Sequence, residues 1–256
     1  MTLNIYGHAT MPDQAPAYAR LIAKHEVDVL ALQEGVDDWK IGLDRPVDYS
    51  RAETLHGVLG QCWQRQFQVY ANGCQGYSIS RHERFDLADG PNAVRTGERA
   101  VITGPHGSFE LFNLHWDHES ETAREASADQ TAEAVMDGTA LPRVVAGDFN
   151  SDCTSAVVGR MANMAGLTLV ADGGIDCIFV NGLTGEGQVV DVVGEAGVGK
   201  SRLVYEFQRE FEQEVIFLTG NCVQYGQNIN YLPVIDILKD AFGIEEGMTE
   251  DEIGHQ

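Results

Sequence analysis

Four short apolar runs in this chain stop at, or open from, a side chain that can bind a metal or move a proton. Val27–Gln33 (VDVLALQ) leads into Glu34, Ser108–Leu114 into His115, and Arg143–Ala146, through Gly147, into Asp148. A fourth run, Cys177–Val180, opens from Asp176. Short apolar, β-branched runs read as buried strands. Between them lie segments with helical spacing at Ala15–His25, Glu121–Met136 and Ser155–Ala165, the second opened by Ser120 as N-cap. Strands alternating with helices argue for an α/β layered fold. In such layers strand ends gather along a rim, so polar residues placed at strand ends have a place to meet.

Further strands are expected at Thr2–Tyr6, Gln61–Tyr70, Gly76–Ser80, Ala100–Thr103 and Leu167–Ala171. Asn72-Gly73 and Gly104-Pro105-His106-Gly107 supply turns between them. The candidate rim then holds Asn4, Glu34, His115, Asp148, Asn150 and Asp176. Hard divalent cations take oxygen ligands, and Mg²⁺ commonly takes one or two carboxylates together with a substrate phosphate. An imidazole beside such a cluster transfers protons or stabilises a phosphoryl oxygen. The set suits in-line attack of water on a phosphoester.

Several segments resemble, in order, the motifs of the endonuclease/exonuclease/phosphatase superfamily. Asn4 falls at its first-strand Asn, and Asp28-Val29-Leu30-Ala31-Leu32-Gln33-Glu34 is similar to its "L-Q-E" strand. Gly76-Tyr77-Ser78-Ile79-Ser80-Arg81 resembles its "I-x-S-R" strand, and Phe112-Asn113-Leu114-His115 its "N-x-H" strand. Asp117-His118-Glu119-Ser120, then Arg124, resembles the following segment of small members. Gly147-Asp148-Phe149-Asn150 resembles "GDFN", and Ile175-Asp176-Cys177-Ile178-Phe179 resembles "I-D-x-I-F".

The resemblance implies a DNase I-like four-layer α/β sandwich over residues 1–187. It implies Mg²⁺ or Mn²⁺ as cofactor, with Glu34 as the main metal ligand and Asn4 beside it. Asp148 and Asn150 would position or activate the nucleophile, and His115 would assist charge development on the phosphoryl group. Asp176 would support a second histidine. That histidine belongs to a closing "S-D-H" strand, and no Ser-Asp-His occurs in this sequence. The sandwich is therefore expected to be incomplete and its activity impaired.

Residues 188–256 carry a different signature. Gly194-Glu195-Ala196-Gly197-Val198-Gly199-Lys200-Ser201 fits G-x-x-x-x-G-K-[ST] in full, after an apolar run at Gln188–Val193. Glycines at Gly194, Gly197 and Gly199 let backbone N–H groups wrap phosphates, Lys200 reaches the β/γ-phosphates, and Ser201 holds Mg²⁺. ATP is thus the second expected cofactor. With "LTGNCVQYGQ" and "YLPVIDILKDAFGI", this part resembles the AAA-type ATPase region associated with bacterial cyclases and regulators. Nothing after Ser201 reads as a Walker B strand, so a partial P-loop β-α-β unit that binds nucleotide without hydrolysing it is expected. The junction reads either as a fusion of two partial domains or as Gln188–Val193 serving both. An ATP-binding module and an inactive fusion remnant are the alternatives to a hydrolase.

The net charge of −22 argues against coating long nucleic acid and favours a small phosphorylated substrate. No apolar run approaches the roughly 20 residues of a membrane span. The five cysteines, Cys62, Cys74, Cys153, Cys177 and Cys222, form no CxxC pair. They read as free thiols of a reducing compartment, and with no secretory signal at the N-terminus the cytoplasm is expected. Oligomeric state is not legible.

Overall fold

The computed structural model describes residues 1–5, 11–36, 48–91 and 94–189. The P-loop at 194–201, the rest of 190–256 and Cys222 lie outside the described residues. Strands β1 (Thr2–Asn4), β2 (Val29–Gln33), β3 (Trp63–Gln66) and β4 (Val69–Asn72) form one sheet, ordered β1-β2-β4-β3. A second sheet holds β5 (Ser78–Leu87), β6 (Arg95–Gly104), β7 (Gly107–His115), β8 (Arg143–Asp148), β9 (Thr168–Gly173) and β10 (Asp176–Asn181). Its order is β5-β6-β7-β8-β10-β9. Helices α1 (Met11–Lys24) and α2 (Ser50–Leu59) precede β3, and α3 (Glu121–Met136) and α4 (Ala156–Ala165) flank β8.

Three apolar clusters stack these elements into four layers, as expected for the DNase I-like sandwich. Ala31 and Val69 of the smaller sheet meet Ala100, Ile102, Leu111 and Ala146 of the larger one in a buried apolar layer. The outer face of the smaller sheet packs Leu3, Leu30, Leu32 and Tyr70 against Ile22 of α1 and Ala52 and Leu55 of α2. The outer face of the larger sheet packs Phe112, Leu114, Val145 and Phe179 against Ala128, Ala132 and Val135 of α3 and Val158 and Met161 of α4. Burying one such side chain contributes about 2 kcal/mol, so the layers are held by many equivalent contacts. Ser120 accepts from the Ala123 amide at the start of α3, and Ser155 does the same for Val158 at α4.

Three local expectations change. Gln61–Tyr70 is two strands, because Phe67 turns the chain with φ 52° and Gln66 pairs with Val69 across a tight hairpin. Helix α2 had no signal in the sequence: only Ala52 and Leu55 of its ten residues are buried, and Tyr49 supplies no side-chain cap. Strands β5 and β6 run ten residues each, well beyond the apolar stretches that marked them. β5 is a sheet edge with charged residues facing solvent, a usual guard against edge-to-edge pairing.

The cysteines are also corrected. Cys62 is bonded to Cys74, and Cys153 to Cys177, at sequence separations of 12 and 24. Spacing alone could not show this, since the register of β3–β4 and of β8–β10, not local motif, brings the sulfurs together. Among the described residues no helix is long and apolar enough to cross a membrane. Gln188 and Val189, the described start of the expected strand at Gln188–Val193, belong to no regular element.

Candidate active site

Strand register assembles the candidate residues. β7 and β8 run parallel and end together, so His115 stands beside Asp148. β10 runs antiparallel to β8 and begins where β8 ends, so Asp176 is the register partner of Asp148. In the other sheet β1 and β2 are parallel, with Asn4 paired to Gln33 and Glu34 one residue on. The Asn4 amide closes the gap between sheets: its Nδ2 donates to Glu34 Oε1 at 3.1 Å and to Asp148 Oδ2 at 2.9 Å. His115 Nε2 lies 3.9 Å from Glu34 Oε1. All six rim candidates therefore fall at one end of the sandwich.

The backbone is bent where the site forms. Glu34 has φ 60° and Asn150 φ 45°, left-handed conformations that non-glycine residues seldom adopt. Each is held by hydrogen bonds. Arg51 Nε donates to the Glu34 carbonyl oxygen at 2.7 Å. The Asn150 amide N–H donates to Asp148 Oδ1 at 2.8 Å, and its side-chain Nδ2 donates to the Trp116 carbonyl at 2.8 Å. Gly147, φ 153°, lies so close to the Leu114 carbonyl that any Cβ would overlap it. The glycine of the "GDFN" segment is thus required for β8 to approach β7 at the point where Asp148 and His115 emerge.

Electrostatics follow from burial. Asp148 is held above the usual carboxylate range by burial, with Glu34's charge adding to the rise, while hydrogen bonds from Asn150 and Asn4 oppose it. Asp176 is pushed up to about 6, first by burial and then by the charge of Asp148. Its Oδ1 is buried without a hydrogen-bond partner. His115 is pushed well below the ordinary histidine range by burial, then by the charges of Arg95 and His118, so its ring is neutral around pH 7.

The residues that sequence reasoning missed support these from behind. Arg95, 4% exposed at the start of β6, sets its guanidinium on the rings of His115 and His118. Beneath Glu34, Gln33 Nε2 donates to Asn113 Oδ1 at 2.6 Å, and Asn113 Nδ2 donates to the buried Glu98 at 2.8 Å. Glu98 also accepts from the Gln68 amide and contacts His82, and burial raises its pKa. This network ties β2 to β6 and β7. Asn113 lay inside a recognised motif, but Arg95 and Glu98 sit in a polar stretch (RTGER) that reads as a surface strand end. The expected nucleotide-binding residues Gly194, Gly197, Gly199, Lys200 and Ser201 lie outside the described residues. No group of three or more His, Cys, Asp or Glu side chains among the described residues is arranged to enclose a metal ion.

Comparison with known proteins places this arrangement. Residues 177–253 match the AAA ATPase domain. None of the curated proteins matches the chain. Among solved structures, it is similar to the endonuclease/exonuclease/phosphatase from Bacteroides vulgatus, with TM-score 0.52, 19% identity, and coverage of 71% of this chain and 85% of that one. It is similar to a β-hairpin deletion mutant of beta toxin from Staphylococcus aureus, with TM-score 0.52, 12% identity and coverage of 74% and 89%. It is also similar to sphingomyelinase C from Streptomyces griseocarneus, with TM-score 0.50, 14% identity and coverage of 73% and 84%. At these identities the likeness establishes the sandwich fold. Residues 1–203 match the Endonuclease/Exonuclease/phosphatase family, and the chain belongs to that family.

Proposed function

We propose that residues 1–187 hydrolyse a phosphoester bond with the help of Mg²⁺ or Mn²⁺, and that 188–256 form a separate segment. The observation that carries this reading is the Asn4 amide held between Glu34 and Asp148, which brings one carboxylate from each sheet to a common point. The donor set fits a hard divalent cation: oxygen ligands, two carboxylates, and in Asp176 Oδ1 a buried oxygen left without a partner. Asp148 and Asp176, whose pKa values burial raises, gain stability when a cation enters beside them. Glu34 and Asn4 would hold the ion. When bound, it supplies Lewis-acid polarisation of the phosphoryl oxygen.

The chain's own residues do the rest. Asp148, made more basic by burial and fixed by the Asn150 amide, accepts the proton of the attacking water at Oδ2 or Oδ1. Asn150 keeps the loop carrying that carboxylate in its left-handed turn. His115, neutral, presents an N–H to a phosphoryl oxygen, donating a hydrogen bond without undergoing protonation itself. Asp176, titrating near 6, holds a proton beside Asp148 in mildly acidic solution. The net charge of −22 supports a small phosphorylated substrate over long nucleic acid.

Titration of the metal-free protein with Mn²⁺ by calorimetry tests the assignment. One site is expected, weakened at least ~10-fold in Glu34→Gln. Equal Mn²⁺ affinity in the variant would reject Glu34 as the ligand. The two disulfides favour an oxidising environment over the cytoplasm expected from cysteine spacing.

A second reading concerns 194–201. The AAA ATPase match over 177–253 supports nucleotide binding by Lys200 and Ser201. Binding of a fluorescent ATP analogue, lost in Lys200→Ala, is the expected result. Unchanged binding in that variant would contradict it.

A further inference from the structure

Behind the bend at Glu34 the chain buries a carboxylate that the hydrolytic reading does not use. Glu98, in β6 of the larger sheet, is 2% exposed. Its Oε1 accepts from Asn113 Nδ2 at 2.8 Å, and its Oε2 accepts from the Gln68 main-chain N–H at 3.1 Å. His82 Nε2 meets the same Oε2 at 2.8 Å and closes the group off toward solvent. Both oxygens must therefore accept, one for each of two residues that grip β2.

Those two residues hold the bend from its two sides. Before it, Asn113 Nδ2 also donates to the Leu32 carbonyl at 2.9 Å, and Asn113 Oδ1 accepts from Gln33 Nε2 at 2.6 Å. The Gln68 carbonyl accepts from the Leu32 N–H at 2.9 Å. After it, Gln68 Oε1 accepts from the Val36 N–H at 3.0 Å. Glu34 lies between these anchors with φ 60°, a conformation that persists only where its surroundings hold it. The direction of the network is fixed by main chain at both ends. The Leu32 carbonyl only accepts and the Gln68 N–H only donates. Asn113 cannot turn its amide around without setting Oδ1 against the Leu32 carbonyl. An amide in place of the Glu98 carboxylate would have a single oxygen, and its NH₂ would face either the Asn113 NH₂ or the Gln68 N–H. The position thus calls for two acceptors on one group, which a carboxylate supplies and an amide does not.

We propose that Glu98 is a positioning residue that holds Glu34 in place by anchoring Asn113 and Gln68 together across the two sheets. Its meaning for metal binding rests on the hydrolase reading, in which Glu34 is a metal ligand. The anchoring of the bend itself does not depend on that reading.

The test is backbone amide hydrogen exchange of the metal-free protein, read by NMR beside Mn²⁺ calorimetry. Glu98→Gln keeps the shape of the side chain and removes one acceptor. Glu98→Asp keeps two acceptors on an arm one methylene shorter, which cannot reach Asn113 and Gln68 together, and it carries the test if Glu98→Gln does not fold. In the variants the Val36 amide is expected to exchange at least ~10-fold faster than in wild type, while the amides of β8 and β10 keep their protection. Mn²⁺ affinity is expected to fall ~10- to 100-fold. Val36 exchange at the wild-type rate in a folded variant would overturn the proposal. So would exchange that quickens uniformly through both sheets, the mark of a merely structural role, or a loosened Val36 with Mn²⁺ affinity unchanged. A wild type that binds no Mn²⁺, with Val36 still loosened in the variants, supports the anchoring and defeats the metal reading alone.

Discussion

Asp176 faces Asp148 across the antiparallel β8–β10 ladder, two carboxylates in direct register at one end of a sheet. The cost of that placement is visible in Asp176, which burial and then Asp148's charge lift to about 6. A carboxyl whose folded pKa is raised stabilises the fold below its unfolded value, near 4, and loses that contribution as pH rises through about 6. Metal-free Asp176→Asn is therefore expected to be more stable than wild type at pH 7.5, by about 1 kcal/mol once solvent screening of this partly exposed group is allowed for. The difference vanishes below about pH 4. Denaturant melts at the two pH values check it, and a variant less stable at pH 7.5 would show that the pair is not repulsive.

Gly147 sets the distance between β7 and β8. Its φ of 153° and the Leu114 carbonyl leave no space for a side chain. Gly147→Ala is expected to cost about 2 kcal/mol or more, through overpacking and backbone strain together, and to displace Asp148 from Asn4. Thermal melts measure the first effect and Mn²⁺ affinity the second.

The Cys153–Cys177 bond ties the loop after Asn150 to the strand that opens with Asp176. Closing 24 residues of chain stabilises by about 3 kcal/mol in the chain-entropy account. The paired Cys153→Ser, Cys177→Ser variant should melt lower by that amount, read from urea unfolding. An unaltered midpoint would indicate that packing of the loop alone suffices.

Asn4 joins the two sheets at the site through hydrogen bonds to Glu34 and Asp148. Asn4→Ala should weaken Mn²⁺ binding roughly 10- to 100-fold while leaving the melting temperature nearly unchanged, since the layers are held by apolar contacts elsewhere. Calorimetry and melting of one sample give both values.

The legible parts of the molecule were those where side-chain chemistry and chain periodicity coincide. Val29–Gln33, Gly107–His115 and Asp176–Asn181 are apolar strands tipped by polar groups, and Ser120 announces α3. The parts that were not legible depend on contacts distant in sequence. α2 has too few buried residues to show helical spacing. The disulfides are set by strand register, and Arg95, in a polar stretch, becomes part of the site only because β6 pairs with β7. The candidate rim residues were readable as types and order, but their convergence through Asn4 was not, because it is made between two sheets.

The central claim is metal-dependent phosphoester hydrolysis at the Asn4–Glu34–Asp148 junction. Hydrolysis of a chromogenic phosphodiester with Mn²⁺, compared between wild type and Asp148→Ala after chelator treatment, tests it most directly. The account predicts turnover in wild type that needs added Mn²⁺ and falls at least ~10³-fold in Asp148→Ala. Metal-independent turnover, or equal rates in the two proteins, would contradict it.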